Sequence, residues 1–299
     1  MEVSTQLIAT PFPITLAIRR EDLIHPVVSG NKYRKLKYNL KDAISVCARL
    51  LVTFGGPHSN HIAATAFAAH EAGLSSLGLI RGEEWEAKLS ESPTLQFARE
   101  CGMEFRFLSR ENYRMRNDPA FSDSLRQQWP HALVLPEGGT NELAVTGCSE
   151  ILGTQDENYD IICCPVGTGG TIAGLSRAAA PHQKILGFPA LKGDFLKEDI
   201  RKFANNDNWE LVTGYEFGGY AQTDDRLVAF INAFYAETGI PLDPVYTGKM
   251  VFGVMKEIAT GRFAAGTRIL LIHTGGLQGV TAMNARLQKM KRPILTLDV

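Results

Sequence analysis

The sequence predicts an α/β fold built on parallel sheets, and two features of its patterning carry that prediction. Short apolar runs of strand length alternate with longer alanine- and leucine-rich segments of helix length. That alternation is the mark of β-α-β units whose sheets are covered on both faces. Glycine-rich turns follow the apolar runs after Phe54, Leu135, Cys164 and His273. In open parallel sheets, ligands bind beyond the carboxyl ends of the strands, so these turns converge on one shared site.

In chain order, Leu50 to Phe54 is a buried strand, and the alanine-rich stretch Asn60 to Ala72 is a helix ended by Gly73. Ser76 to Ile80 is a strand and Pro93 to Cys101 a helix. Further segments follow at Glu104 to Leu108, Phe121 to Gln128 and Ala132 to Leu135. Asp160 to Cys164 is a strand, Thr171 to Ala180 a helix, Lys184 to Phe188 a strand and Leu227 to Glu237 a helix. Arg268 to His273 is the last strand, and Leu277 to Lys289 the helix after it. The polar stretch Lys197 to Asn208 is a surface helix and loop. Lys32, Arg34, Lys35, Lys37 and Lys41, interleaved with Leu36, Tyr38 and Leu40, form an amphipathic helix with a solvated basic face. No internal repeat or low-complexity tract interrupts the pattern.

The bulk numbers narrow the functional classes. The 299 residues are enough for one large domain or two ordinary ones. Hydrophobic residues at 44% and charged residues at 21% are ordinary for a globular protein. A formal net charge of -1 argues against nucleic-acid or anionic-membrane partners, which need a basic face. The five cysteines (Cys47, Cys101, Cys148, Cys163, Cys164) form no C-x-x-C pair and suit a reducing cytosol. Met1 to Leu16 lacks the pattern of a signal peptide, and no apolar run approaches the roughly 20 residues that span a bilayer. A cytoplasmic location is expected. Cys163-Cys164 is buried packing.

Five segments carry candidate chemistry. Ser29-Gly30-Asn31-Lys32-Tyr33-Arg34-Lys35-Leu36 places a lysine in a tight glycine turn at the start of a helix. A solvated lysine is protonated and a poor nucleophile. One held in a desolvated turn near other cations can lose its proton and form a Schiff base. Gly167-Thr168-Gly169-Gly170-Thr171 follows a strand and opens a helix, so its backbone N–H groups make an anion cradle. It is not a Walker A loop, because no Gly-Lys-Ser/Thr closes it. It is a poor dinucleotide fingerprint, because Ile172 stands where the third glycine belongs. Taken alone, it also fits a tight packing turn. Gly55-Gly56-Pro57-His58-Ser59-Asn60-His61 is a second strand-to-helix turn; Ser59 either caps the helix or, with Asn60, binds a carboxylate or a cofactor hydroxyl. His58 and His61 suggest a metal, but no acidic residue or cysteine lies nearby to complete a ligand set, and none is expected. In Asp243-Pro244-Val245-Tyr246-Thr247-Gly248-Lys249, Tyr246 can stack on a planar ring or transfer a proton, or can be a core tyrosine. Gly218-Gly219-Tyr220 presents a second tyrosine in a flexible turn. In His273-Thr274-Gly275-Gly276, Thr274 either hydrogen-bonds a ring nitrogen or caps the next helix. Together the segments read as the parts of a pyridoxal phosphate site.

Asn31-Lys32 with Arg34-Lys35-Leu36, Ser59-Asn60-His61, and Asp243-Pro244-Val245-Tyr246 with Gly248-Lys249 resemble the family of 1-aminocyclopropane-1-carboxylate (ACC) deaminases and D-cysteine desulfhydrases. The likeness runs from about Arg20 to Gly276. The resemblance implies a tryptophan-synthase-β-like (fold type II) pyridoxal phosphate enzyme and a homodimer. Lys32 would be the cofactor lysine and Asn60 the contact to the cofactor's phenolic oxygen. Ser59 would hold the substrate carboxylate, with His61 and Tyr220 also lining the substrate. Gly167, Thr168, Gly169, Gly170 and Thr171 would hold the phosphate. Tyr220 and Tyr246 would be paired active-site tyrosines, and Thr274 the partner of the pyridine nitrogen. His58 departs from the family pattern before Ser-Asn-His, and the N-terminus is short.

One position separates the two activities. The deaminase branch carries a glutamate directly after the tyrosine of Asp-Pro-Val-Tyr, and this chain has Thr247. A neutral partner leaves the pyridine a weaker electron sink, which suits loss of thiolate from Cβ better than opening of a cyclopropane. The expectation is therefore a lyase that converts D-cysteine to pyruvate, ammonia and hydrogen sulfide. ACC deamination to 2-oxobutyrate and ammonia is the alternative, a non-catalytic ligand-binding relative is a second, and a plain dinucleotide-binding module a distant further one. The expected domains are residues 1–35 plus 144–299, carrying the cofactor, and 36–143, a smaller α/β domain that closes over the substrate.

Overall fold

The computed structural model describes residues 3–193 and 195–299. The first half of the chain contains β1 (Thr5–Ile8), β2 (Thr15–Arg19), α1 (Asn31–Ser45), β3 (Leu50–Gly55), α2 (Asn60–Glu71), β4 (Ser75–Arg81), α3 (Pro93–Glu100), β5 (Met103–Leu108), α4 (Arg110–Arg114), α5 (Pro119–Gln128), β6 (Ala132–Leu135) and α6 (Glu142–Ser149). The second half contains β7 (Ile161–Val166), α7 (Gly170–Ala178), β8 (Lys184–Pro189), α8 (Phe195–Arg201), β9 (Trp209–Leu211), α9 (Asp225–Thr238), α10 (Thr247–Ala259), β10 (Arg268–Ile272) and α11 (Gly279–Lys289). By its internal contacts the chain divides into two units, Met1–Asn31 with Cys148–Val299, and Lys32–Gly147.

The larger unit holds a six-stranded sheet in the order β1-β2-β10-β7-β8-β9. Only the β1–β2 pair is antiparallel; the other neighbours are parallel. Period-2 alternation sends each central strand's side chains into two cores. Leu16 and Ile18 of β2, Cys163 of β7, and Ile269 and Leu271 of β10 enter one core. Ala17, Ile162, Cys164, Leu270 and Ile272 enter the other. Cys163 and Cys164 thus face opposite sides, and burial pushes both thiols up, which leaves them inert. Strand β7 runs on through Pro165 to Val166, past the expected end at Cys164. Its pairing with β10 ends at Cys163 while pairing with β8 continues to Val166, so the proline falls where no β10 partner needs an N–H.

The smaller unit holds a four-stranded, all-parallel sheet in the order β5-β4-β3-β6. Val52, Phe54, Leu77 and Leu79 fill one core beneath it with Tyr113 and Leu125, and Ile80 packs with Ile62, Ala66 and Leu95 in another. The expected solvated basic face of α1 is only partly realised: Arg34 and Lys35 are buried. The Lys35 ammonium is satisfied inside the unit by the Gly138 carbonyl at 3.0 Å and the Thr140 hydroxyl at 2.8 Å, and such partners are what permit a charge to be interior.

Leu271, fully buried in the central strand, sits in the larger core. Leu271→Ala is expected to cost about 2–5 kcal/mol of stability, read as a lower urea midpoint with an unchanged far-UV spectrum.

Candidate active site

In the smaller unit, β3 delivers the chain into the Gly55–His61 turn. A Cβ on Gly55 would lie 2.5 Å from Ile62 Cγ1 and 2.9 Å from Ser59 Cβ, so only glycine lets the turn close this tightly. Ser59 has the extended geometry of a helix N-cap, φ −77° and ψ 120°, yet its hydroxyl makes no cap hydrogen bond. The capping role read from sequence is not taken up. The opening N–H groups of α2 have no acceptor within the helix, and its dipole adds positive potential there. The half-buried Ser59–Asn60 pair therefore presents donors suited to a carboxylate or phenolate.

His61 lies deeper than its expected substrate role requires, at 1% exposure. Thr53 Oγ1 donates to the Leu135 carbonyl at 3.2 Å, so at 2.8 Å it accepts from His61 Nε2–H. His61 Nδ1 then accepts from the Thr65 hydroxyl at 3.4 Å. Burial, then the charges of Lys32 and Lys35, hold this imidazole neutral. His58 is exposed on one side and meets Trp85 edge to face at 5.1 Å, and partial desolvation of its ring by the protein around it pushes its pKa down. Among the described residues no group of His, Cys, Asp or Glu could hold a metal ion. Lys32 is half-buried as the second residue of α1.

In the larger unit, β7 ends at Val166 and the glycine loop follows. Gly169 adopts φ +84°, and a Cβ there would lie 2.9 Å from Ile200 Cγ1. No side chain caps α7, which starts at Gly170. A glycine-lined helix N-terminus with open N–H groups is a seat for phosphate. The ring of Tyr246 lies against this loop, where a Cβ on Gly167 would come within 3.2 Å of Tyr246 Cε1. Tyr220 and Tyr246 meet edge to face, with centroids 6.2 Å apart.

Tyr246 and Thr247 are placed by a residue that sequence reading passed over. The buried Asp243 carboxylate accepts from the N–H groups of Val245 at 2.9 Å, Tyr246 at 2.8 Å and Thr247 at 2.7 Å. It thereby caps α10 from outside the helix, as a carboxylate at a positive dipole end should. Its signal was the Asp-Pro turn. Thr247 is fully buried, and its Oγ1 has no hydrogen-bond partner among the described residues. A buried, unpaired hydroxyl is costly and fits a site that takes a polar group.

The turn after β10 meets the turn before Lys32. A Cβ on Gly30, at φ +62°, would lie 2.0 Å from the Thr274 carbonyl oxygen. Asn31 N donates to that oxygen at 3.3 Å, and Asn31 Nδ2 donates to Thr171 Oγ1 at 2.9 Å. Asn31 therefore bridges the Thr274 turn and the glycine loop, and Lys32 is the next residue in the chain. Thr274 does not cap the following helix, whose N-cap is Gln278. His273 Nδ1 accepts from Gly275 N at 3.2 Å, so its hydrogen is on Nε2, donated to the Pro241 carbonyl at 2.7 Å. The nearby Asp22 carboxylate lies 3.6 Å from Nδ1 and pairs with Arg20.

Two α/β units with largely parallel sheets, a glycine-lined helix N-terminus and an aromatic ring laid against its loop fit a fold-type II pyridoxal phosphate enzyme, the class that the comparisons show. The profile described as "Pyridoxal-phosphate dependent enzyme" matches residues 4–275. A Thermotoga maritima protein with a provisional ACC deaminase name is 31% identical over 92% of this chain and 93% of its own. An Arabidopsis thaliana protein named as a bifunctional, mitochondrial D-cysteine desulfhydrase/ACC deaminase is 30% identical over 89% of this chain and 73% of its own. A crystal structure described as an ACC deaminase homologue superposes with a TM-score of 0.83 at 28% identity, over 97% of this chain and 94% of that one. The chain belongs to the ACC deaminase/D-cysteine desulfhydrase family of pyridoxal phosphate-dependent enzymes.

Gly30→Ala adds both a strained φ and a clash with backbone that cannot swing aside. The variant is expected to purify without stoichiometric cofactor, measured as visible absorbance per chain, whereas Gly73→Ala, where a Cβ meets nothing within 4 Å, should retain it.

Proposed function

We propose that the protein is a β-eliminating lyase for a small D-amino acid, with D-cysteine and water giving pyruvate, ammonia and hydrogen sulfide. The observation that carries the choice is Thr247, a buried neutral residue directly after Tyr246, where the deaminase pattern has glutamate. The deaminase names of the relatives support the other reading, ACC and water giving 2-oxobutyrate and ammonia, and the Arabidopsis relative's name joins both.

Pyridoxal phosphate, when bound, supplies an electron sink for negative charge developing at the substrate Cα. Gly167, Thr168, Gly169, Gly170 and Thr171 hold its phosphate, Asn60 its phenolic oxygen and Thr274 its ring nitrogen as a neutral partner. Lys32 holds the cofactor at rest and takes the Cα proton during turnover. Ser59 and the start of α2 bind the substrate carboxylate. The Tyr220 and Tyr246 hydroxyls attend the departing sulfur and its proton. His61 acts from behind, as a neutral prop for the Ser59–Asn60 turn rather than a direct ligand. The same reading takes the protein as a cytoplasmic homodimer, which sedimentation and fractionation test.

Incubation with D-cysteine is expected to release sulfide and pyruvate in equal amounts, with neither from L-cysteine. Turnover of ACC alone would hand the function to the deaminase reading, and failure to bind cofactor would favour a non-catalytic relative. Lys32→Ala should abolish the borohydride-fixed link between cofactor and chain and cut turnover by on the order of a thousandfold. Thr247→Glu should raise 2-oxobutyrate formation from ACC; no gain would overturn the branch-point argument.

A further inference from the structure

Lys249 breaks two rules at once. It is 1% exposed, and it sits in the first turn of α10, where the helix dipole is positive. An ammonium survives in such a place only if its hydrogens are all used. Lys249 Nζ donates to the carbonyls of Glu216 at 2.8 Å, Gly219 at 2.8 Å and Ala190 at 3.2 Å. A protonated lysine has three donors and a neutral one only two, so this arrangement is complete only in the charged form.

The acceptors are not arbitrary. Gly219 immediately precedes Tyr220, and the backbone around it is held in the left-handed region at Phe217 (φ 52°), Gly218 (φ 93°), Gly219 (φ 119°) and Ala221 (φ 53°). Phe217 and Ala221 are not glycines, so the loop carries strain that persists only where neighbours over-determine it. Ala190 follows β8, and its N–H bonds the carbonyl of Val166 at 2.9 Å, at the point where the glycine loop begins. Lys249 itself lies two residues beyond Thr247 on the helix that starts after Tyr246.

We propose that Lys249 is a positioning residue, whose buried ammonium clamps the 216–219 backbone to the start of α10 and so fixes Tyr220 against Tyr246. The proposal rests on the reading of Tyr220 as an active-site residue. Titration supports it: burial pushes the Lys249 pKa down to about 8, against the carboxylates of Asp243 and Glu216, which pull it up. Loss of the proton leaves one carbonyl without its donor. The folded-state pKa lies below the ordinary value of 10.5, so the unfolded chain binds the proton more tightly and global stability rises between about pH 8 and that value. A falling contribution from Tyr220 in a window of rising stability separates loss of position from unfolding.

Two readouts test the clamp. In Lys249→Met, amide hydrogen exchange across 214–222 is expected to accelerate by about tenfold or more relative to wild type, with the strands of the sheet unchanged. In a cycle with Tyr220→Phe, each single change should lower kcat/KM for the accepted substrate by on the order of tenfold to a hundredfold, and the double variant little further. Unchanged loop exchange, or losses that multiply in the double variant, would overturn the proposal. A Tyr220→Phe protein as active as wild type would instead remove Tyr220 from the site, and the positioning role with it, while loop exchange still judged the clamp. Should Lys249→Met not fold, the wild-type to Tyr220→Phe activity ratio decides: it should shrink as pH passes about 8, and a constant ratio from about pH 7 to about pH 9.5 would refute the clamp.

Discussion

The missing side chain of Gly30 is the constraint on which the larger unit's loops depend. With the Thr274 carbonyl oxygen 2.0 Å from where a Cβ would stand, the chain passes at backbone contact distance and in a conformation that L side chains avoid. That approach lets Gly30 N reach the Glu21 carbonyl at 2.9 Å and Asn31 N reach Thr274. It also lets the Asn31 side chain reach Thr171. Segments that follow β2, β7 and β10, far apart in the chain, are thereby tied at the residue before Lys32. Only the approach of bare backbone gives room for this, which is why a glycine, rather than any hydrogen-bonding side chain, is the key part.

The first turn of α10 is organised by a different device, a pair of buried opposite charges that each serve backbone. Asp243 gathers the N–H groups of Val245, Tyr246 and Thr247, and Lys249 gathers carbonyls from two other segments. Neither charge depends on direct contact with the other. Each is retained because its full set of hydrogen bonds offsets much of the desolvation cost, so removal of either would leave backbone groups unsatisfied rather than merely delete an ion pair. Lys35 follows the same logic in the smaller unit. Cys163 and Cys164 follow the opposite one: with no polar work to do, they are simply neutral packing.

Local patterning made much of this legible. The parallel strands and the loops after them could be read because apolar runs, helix lengths and glycine turns are local signals. The β1–β2 pair could not. Its strands are short, separated by Pro11 and Pro13, and β2 finds its parallel partner β10 near the other end of the chain. Burial of Lys35 and Lys249 was equally hidden, because what makes a buried ammonium tolerable is a set of carbonyls contributed by distant loops. Ser59 had an ordinary local explanation as a cap, and only the geometry shows that its hydroxyl makes no cap bond. The role of Asp243 was hidden because an Asp-Pro pair reads locally as a turn, and its three N–H partners appear only once the chain has folded back on it.

Thr247 shows where sequence and structure need each other. The sequence says only that a neutral residue stands after Tyr246. The structure adds that it is fully buried, that its N–H is already committed to Asp243 and that its hydroxyl has no partner among the described residues. A carboxylate at this point would add a second negative charge beside Asp243 in a desolvated turn, and like charges there favour protonation of one of them. In the proposed reading, a glutamate held in that state would donate a proton to the ring nitrogen, whereas Thr247 leaves that nitrogen to the neutral Thr274. On that reading, one side chain would decide between a strong and a weak electron sink. A weak sink is sufficient where the leaving group is already stable as an anion, as thiolate is, and insufficient where a carbon–carbon bond must break.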